Sequence, residues 1–180
     1  MTRDAPPPTA VGDAAPPAPV TMADPAWRPS PKARLLWAVG AALLWVPVVA
    51  AQVVWAIVDS GRYPGWHVAA AVVTAVLAVA HVGVMPLWRY RVHRWEITDT
   101  AVYTRSGWFT QERRIAPISR IQTVDTERGP LDRWLGLATV TVTTASSAGA
   151  VAITALDVGV ADATAARLTA IAGSNQADAT

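Results

Sequence analysis

Two long runs of apolar residues dominate the first half of the chain. The first run, Leu35–Val58, and the second, Val68–Trp88, contain no acidic or basic residue apart from one histidine. Each is at least as long as the roughly 20 residues that a helix needs to cross a bilayer. The segment between them, DSGRYPGWH, is short and rich in turn residues. The pattern therefore predicts a transmembrane helical hairpin over residues 35–88.

A cleavable signal peptide is the alternative for the first apolar run. The residues VAA before Gln52 resemble a cleavage site. However, about 30 residues precede the run, and its apolar pattern continues past Gln52, which is unlike a signal peptide. We therefore expect the first run to be retained as a membrane span.

The pattern changes to alternating apolar and polar positions between residues 92 and 156, which predicts short β-strands. ATVTVTTA is the cleanest of them, with Val140 and Val142 facing inward and the threonines outward. Pro117 interrupts an earlier strand pattern, so that strand has to bulge, bend or lie at an edge. Residues 126–136 indicate a loop with a short helical turn.

A helix is expected at the end of the folded part, over residues 158–172, with Val160, Leu168 and Ile171 buried. Several short strands followed by one helix indicate a small antiparallel sheet or barrel that a terminal helix caps. This gives a domain over residues 92–172. The flanking segments, a Pro- and Ala-rich tail at 1–31 and a short tail at 173–180, are expected to be disordered.

Composition supports a membrane protein. The chain is 52% hydrophobic and 16% charged, and it has nine tryptophans but one phenylalanine. Tryptophan is enriched where a bilayer meets water. The absence of cysteine excludes disulfides, thiolate nucleophiles and cysteine-ligated metals. The net charge of +2 is too small for a strong long-range field.

Most basic residues near the predicted hairpin lie at its open end, before the first run and after the second, rather than in the connecting loop. Arg28, Lys32 and Arg34 precede the first run, while the connecting loop contains only Arg62. Because basic residues near span ends stay in the cytoplasm, both termini are expected there. The segment PLWRYRVHRW then lies at the inner membrane surface, which accounts for its arginines without a nucleic acid. The residues expected at the membrane interface or lipid headgroups are Lys32, Arg34, Trp88, Arg89, Tyr90, Arg91 and Arg94.

Polar and small residues inside the spans predict how the helices pair. Gln52 and His81 differ in depth by roughly 15 Å in a simple antiparallel pairing, so they are not expected to bond to each other. A histidine inside a membrane is a candidate functional residue, but neither span offers an acidic partner, so we favour a hydrogen bond from His81 to a neighbouring helix or backbone. Ala71, Ala75 and Ala78 share one helix face. Small residues allow close approach of helices, so this face is expected to form the seam of the hairpin or of a dimer.

Several segments resemble, in order and spacing, the bacterial pleckstrin-homology-like domain of YdbS-like membrane proteins. They are ITDTAVYTRSGW, RRIAPISRIQTVDTERG and LGLATVTVTTASSAG running into ITALD. The resemblance covers about residues 35–157. It implies two transmembrane helices followed by a mainly β pleckstrin-homology-like (PH-like) barrel with a C-terminal helix, and it supplies no catalytic residues.

No arrangement of residues in the sequence supports catalysis, a cofactor or a metal. His67, His81 and His93 are predicted at the outer loop, in the membrane and at the inner interface, too far apart to share a metal. Ser146 and Ser147 lie in a turn with no nearby histidine. The chain is therefore not expected to be an enzyme.

Arginines are the best candidates for ligand contact. Between Arg89 and Gly136 there are nine arginines against six acidic residues, a local excess of three positive charges. The candidate ligand surface consists of Arg105, Arg113, Arg114, Arg120 and Arg128. Two functions follow. One is a non-enzymatic interaction or scaffold module at the inner face of the bacterial cytoplasmic membrane, whose partner is another PH-like membrane protein or a second copy. The alternative is a sensor of anionic lipid headgroups.

Overall fold

The computed structural model describes residues 24–59, 62–108, 110–145 and 149–177. Two long helices come first, then strands in two groups of three, and a helix ends the chain. The elements are α1 (Ala33–Val58), α2 (Pro64–Val92), β1 (Arg94–Ile97), β2 (Ala101–Gly107), β3 (Gln111–Pro117), a 3-10 turn (Ile118–Arg120), β4 (Ile121–Glu127), α3 (Pro130–Leu135), β5 (Leu137–Thr144), β6 (Val151–Asp157) and α4 (Val158–Ala177).

α1 and α2 form the predicted hairpin. Each helix is apolar enough to cross a membrane, and only 6% of the residues in its apolar 18-residue stretch are buried within the protein. Val58 and Val79, for example, are 76% and 74% exposed. The core helix of a soluble protein would hide such side chains, so these face lipid. α2 starts earlier than predicted, at Pro64, because proline suits the first turn of a helix.

Polar contacts join the two helices inside the span. The Gln52 side-chain amide donates to the Thr74 hydroxyl, and the Trp45 indole N–H donates to His81 Nδ1 at 3.1 Å. The prediction that Gln52 and His81 have separate partners is confirmed. Each pair satisfies polar atoms that lipid cannot satisfy.

The seam of the hairpin lies one residue away from the predicted alanine face. Thr74 is buried and Ala70 and Ala78 are half-buried, whereas Ala71 and Ala75 are exposed. The hydrogen bond from Gln52 turns the Thr74 face inward, which a search for small residues could not reveal. The hairpin seam predicted at Ala71 and Ala75 is therefore wrong, and a dimer seam there stays a prediction.

The β-rich domain consists of two antiparallel sheets, ordered β1-β2-β3 and β4-β5-β6. Their inner faces and α4 share one core, which includes Val102, Ile118, Val140, Ile153 and Leu168. The PH-like fold is confirmed, but the sheets do not close into a barrel. β3 ends at Pro117, which cannot donate to a ladder, and the 3-10 turn then carries the chain into the second sheet.

Periodicity predicted β5 more closely than α4. Val140 and Val142 are buried and the alternate threonines are not fully buried, as expected. In α4, Leu168 is buried, but Val160 is exposed and Ala161 takes the inward position instead. A small side chain there lets the helix approach the sheet closely. The helix also continues to Ala177, so the disordered tail predicted from residue 173 is wrong as far as residue 177.

Residues 24–31 form a strap along the domain, within the segment predicted to be disordered. Trp27 and Trp95 exchange backbone hydrogen bonds of 3.0 and 2.9 Å, and the Ser30 N–H donates to the Ala155 carbonyl at 2.9 Å. The strap thus supplies bonding partners to the open edge of β1. The prediction of disorder is wrong for this part of 1–31, and residues 1–23 lie outside the described residues.

A substitution at Gly136 tests the turn between α3 and β5. Gly136 ends α3 in the left-handed conformation, at φ 70°, although an added Cβ would meet only the tip of Lys32. Gly136→Ala should therefore lower the free energy of unfolding by about 1 kcal/mol through backbone strain alone. Gly173→Ala, in open space within α4, should be neutral or slightly stabilising. Denaturation of both variants in detergent checks this, and equal effects would contradict it.

Candidate functional site

The base of the hairpin packs directly on the domain. Ala33 and Trp37 of α1 form a buried cluster with Leu137 of β5 and Ala155 of β6. A register shift in the β5–β6 ladder accompanies the left-handed conformation of Ala155, at φ 58°. This bulge lets Ala155 meet the helix base instead of continuing the regular strand. The domain is therefore bonded to the membrane anchor by a second, smaller core.

His93 links the end of α2 to this cluster. Its N–H and its Nδ1–H both donate to the Arg89 carbonyl, each at 2.9 Å, and its ring lies 4.9 Å from the Trp37 ring. Burial, with a smaller contribution from the nearby Arg89 charge, lowers the pKa of His93 to about 4. The imidazole is therefore neutral at physiological pH, and it caps the helix and fills the junction.

Cations and aromatic rings surround the hairpin base as a collar. The Arg89 guanidinium lies 4.5 Å from the Trp37 ring centroid, and that of Arg34 lies 4.7 Å from the Tyr90 ring. Lys32 pairs with Asp157 of the domain at 3.5 Å. Such contacts hold charged groups at a fixed level while their stems cover apolar surface.

Four of the predicted interface residues, Lys32, Arg34, Arg89 and Tyr90, lie in this collar. Trp88 and Arg91 are exposed on α2, and the Arg94 Nε is buried with no hydrogen-bond partner among the described residues. Their contact with lipid headgroups stays a prediction.

The candidate ligand arginines, in contrast, do not meet in one pocket. Arg105 donates to the Val92 carbonyl at 3.0 Å and pairs with Asp24, which also lies 3.3 Å from Arg113. Arg114 pairs with Glu112 at 2.6 Å.

The remaining two candidates lie at opposite ends of β4. Arg128 donates to the Leu137 carbonyl at 3.2 Å, and Arg120 is exposed on the 3-10 turn. Most of the predicted ligand surface is therefore engaged in holding the fold together. Its role in ligand contact stays a prediction.

Sequence reasoning missed a groove between the strap, β1 and α4. It has a volume of about 480 Å³ and is lined by Trp27, Trp95, Ile97, Gly159, Val160, Ala163, Thr164 and Arg167. The exposed Val160 on a helix that otherwise packs inward marks this groove in the structure. From sequence alone, Val160 was assigned to the core.

The histidines stay apart, as their predicted positions require. His67 lies 3.0 Å from Asp59 at the turn of the hairpin, His81 bonds to Trp45 within it, and His93 lies at the domain junction. Within the described ranges, no three histidine, aspartate or glutamate side chains gather as a metal site would require.

A family profile described as the bacterial PH domain matches residues 33–171, most of the chain. The chain belongs to the bacterial PH-domain family. This PH-domain protein is also 37% identical over 70 residues to the transmembrane protein YdbS of Bacillus subtilis (strain 168). That alignment covers 39% of the chain and 44% of the relative, less than half of each. No solved structure matches.

These matches and the two apolar helices identify a membrane-anchored protein with a PH-like domain, and the resemblance stated from sequence is confirmed. The matched region begins at the first residue of α1 and ends within α4. It therefore includes the anchor as well as the domain.

His93 predicts how the junction responds to acid. Its folded pKa of about 4 lies below the usual value of 6.5, so between these values the unfolded chain binds a proton that the folded chain does not. The contribution to stability is complete above pH 6.5 and is lost as the pH falls toward 4, by at most about 3 kcal/mol. In His93→Asn the amide can still donate to Arg89, and this part of the pH dependence should disappear.

The measurement is the free energy of unfolding in detergent at several pH values, for the original chain and for His93→Asn. Carboxyl groups titrate in both proteins, so the readout is the difference between the two curves. Parallel curves from pH 7 to pH 4 would mean that the junction does not exclude the proton.

Proposed function

We propose that the chain is a non-enzymatic interaction module that presents a PH-like domain at the inner face of the bacterial cytoplasmic membrane, with both termini in the cytoplasm. The basic collar supports this orientation, because positive residues near span ends stay in the cytoplasm. The chain's membership of a PH-domain family supports binding rather than turnover.

The open edge of β4 is the observation that carries the proposal. Among the described residues β4 pairs with β5 alone, and most of its side chains are exposed. An edge strand offers unpaired N–H and carbonyl groups to an extended segment of a partner. Asp125 and Glu127 on this strand oppose unselective pairing and give the edge a charge that a partner has to complement.

The partner we propose is another PH-like membrane protein or a second copy of this chain. The hairpin confines the domain to the membrane surface, which raises its effective concentration toward other proteins in the same bilayer. A modest interface along one strand is then sufficient. The rigid junction at Trp37 and Ala155 supports this, since it limits the orientations that the edge can take.

A sensor of anionic lipid is the second candidate, and one observation favours it. Arg105 and Arg113 lie opposite each other on β2 and β3, and the Asp24 carboxylate lies between them. A lipid phosphate could replace that carboxylate. Against this, the Arg105 guanidinium already donates to the Val92 carbonyl, and Asp24 neutralises part of the positive charge that would attract a phosphate. Binding of protein is therefore the leading proposal.

Photo-crosslinking in native membranes tests the two candidates. A photoreactive amino acid at Thr126 of β4 should capture a defined membrane protein or a second copy. The matched control is Thr169, which is exposed on α4, and it should capture much less. Capture should persist in Arg113→Gln, which alters the other sheet, and should weaken only modestly at raised salt, because backbone hydrogen bonds supply most of the pairing and only the charges of Asp125 and Glu127 are screened.

Two results would count against the protein-binding proposal. Equal capture from both positions would exclude the β4 edge as the interface. Loss of capture in Arg113→Gln, together with its loss at raised salt, would instead support the lipid sensor.

The orientation is tested separately with single cysteines in this cysteine-free chain. Ser60→Cys lies between the spans, and Ser119→Cys lies on the exposed 3-10 turn of the domain. A membrane-impermeant thiol reagent added to intact cells should label only position 60. Position 119 should react after the cells are opened. Labelling of position 119 in intact cells would reverse the proposed topology.

A further inference from the structure

The β2–β3 hairpin runs along the cytoplasmic end of α2 toward the membrane. Arg105 donates to the Val92 carbonyl at 3.0 Å, and three residues later the Trp108 carbonyl accepts from the Trp88 indole N–H, also at 3.0 Å. The Trp108 ring then lies 6.4 Å from the ring of His81. From Arg105 of β2 to Trp108, just after the strand, the contacts thus move deeper along α2.

These contacts fix the depth at which the tip of the β2–β3 hairpin lies relative to the membrane. His81 lies seven residues inside Trp88, which is about 10 Å along a helix. Trp88 ends the apolar run and marks the water interface. A backbone atom of Trp108 therefore lies at the level of Trp88, and its ring reaches toward the level of His81. The tip is consequently at the boundary of the bilayer, not in the cytoplasm below it.

We propose that Trp108, at the tip of the β2–β3 hairpin, inserts into the membrane surface among lipid headgroups and the first acyl carbons. The sequence of this tip, Gly-Trp-Phe-Thr, has no charge. Trp108 contacts His81 and Trp88 of α2 and remains 43% exposed. The ligand at this site is thus the lipid surface itself.

The turn and the charges behind it fit this role. A Cβ on Gly107, at φ 127°, would lie 1.9 Å from the Thr110 carbonyl oxygen, so only glycine permits so tight a turn. The strands that lead away from the tip bear Glu112, Arg113 and Arg114. An aromatic residue at the boundary with charged groups closer to water is the usual order of residues at membrane interfaces.

Spin labels in the full-length chain test the proposal. The cysteine-free chain is labelled with a nitroxide at Thr110→Cys and reconstituted in vesicles of phosphatidylethanolamine and phosphatidylglycerol. Val79→Cys, 74% exposed on α2, is the reference inside the membrane. Ser119→Cys is the reference in water, because six strand positions, roughly 20 Å, separate the two ends of the β2–β3 ladder. Collision rates with oxygen and with a water-soluble nickel chelate give the depth of each label.

Insertion predicts that oxygen collisions at position 110 exceed those at 119 and that nickel collisions are lower, in the direction of position 79. Trp108→Ala should shift position 110 toward the values of 119, whereas the control Trp27→Ala should not. Values at 110 equal to those at 119 would overturn the proposal. A decrease in both collision rates would also overturn it, since burial against protein, including a second copy, excludes oxygen as well as nickel.

Discussion

Trp37 packs at the point where the membrane hairpin meets the second sheet, and the position of the whole domain depends on this contact. Ala33, Leu137 and Ala155 enclose the ring, His93 packs on it and Arg89 covers it. Replacement of a buried tryptophan by alanine typically costs about 3–5 kcal/mol, a large part of the stability of a small domain. The junction is therefore a structural core in its own right and not a loose tether between two independent parts.

Patterns within short stretches of sequence predicted the elements that form from the hydrophobic periodicity of neighbouring residues. The two spans, the β5 strand and the start of α4 follow from hydrophobic periodicity within short windows. The strap at 24–31 could not be predicted in this way, since its prolines and polar residues indicate disorder. Its order comes from the open edge of β1, which lies about seventy residues further along the chain. The bulge at Ala155 is likewise explained only by the helix that it meets.

The predicted arginine surface shows the same limit of prediction from local sequence, here for the candidate site. A count of charges gave a basic excess, yet the excess says nothing about which arginines are already occupied. Asp24 and Arg113 are 89 residues apart in sequence, and only the folded strap brings them together. Arg105 and Arg128 are partly committed to backbone carbonyls, which no charge pattern could indicate.

The direct passage from α2 into β1 has a mechanical consequence. Only His93 separates the end of the helix at Val92 from the strand that begins at Arg94, and that residue is buried and bonded. α2 has 29 residues, and its apolar run Val68–Trp88, about 31 Å of helix, matches the ~30 Å hydrocarbon thickness of a bilayer. Such a helix accommodates a thinner membrane by tilting. Because no hinge separates α2 from β1 at His93, the domain turns with the helix. A change in bilayer thickness therefore changes the angle between the β4 edge and the membrane plane.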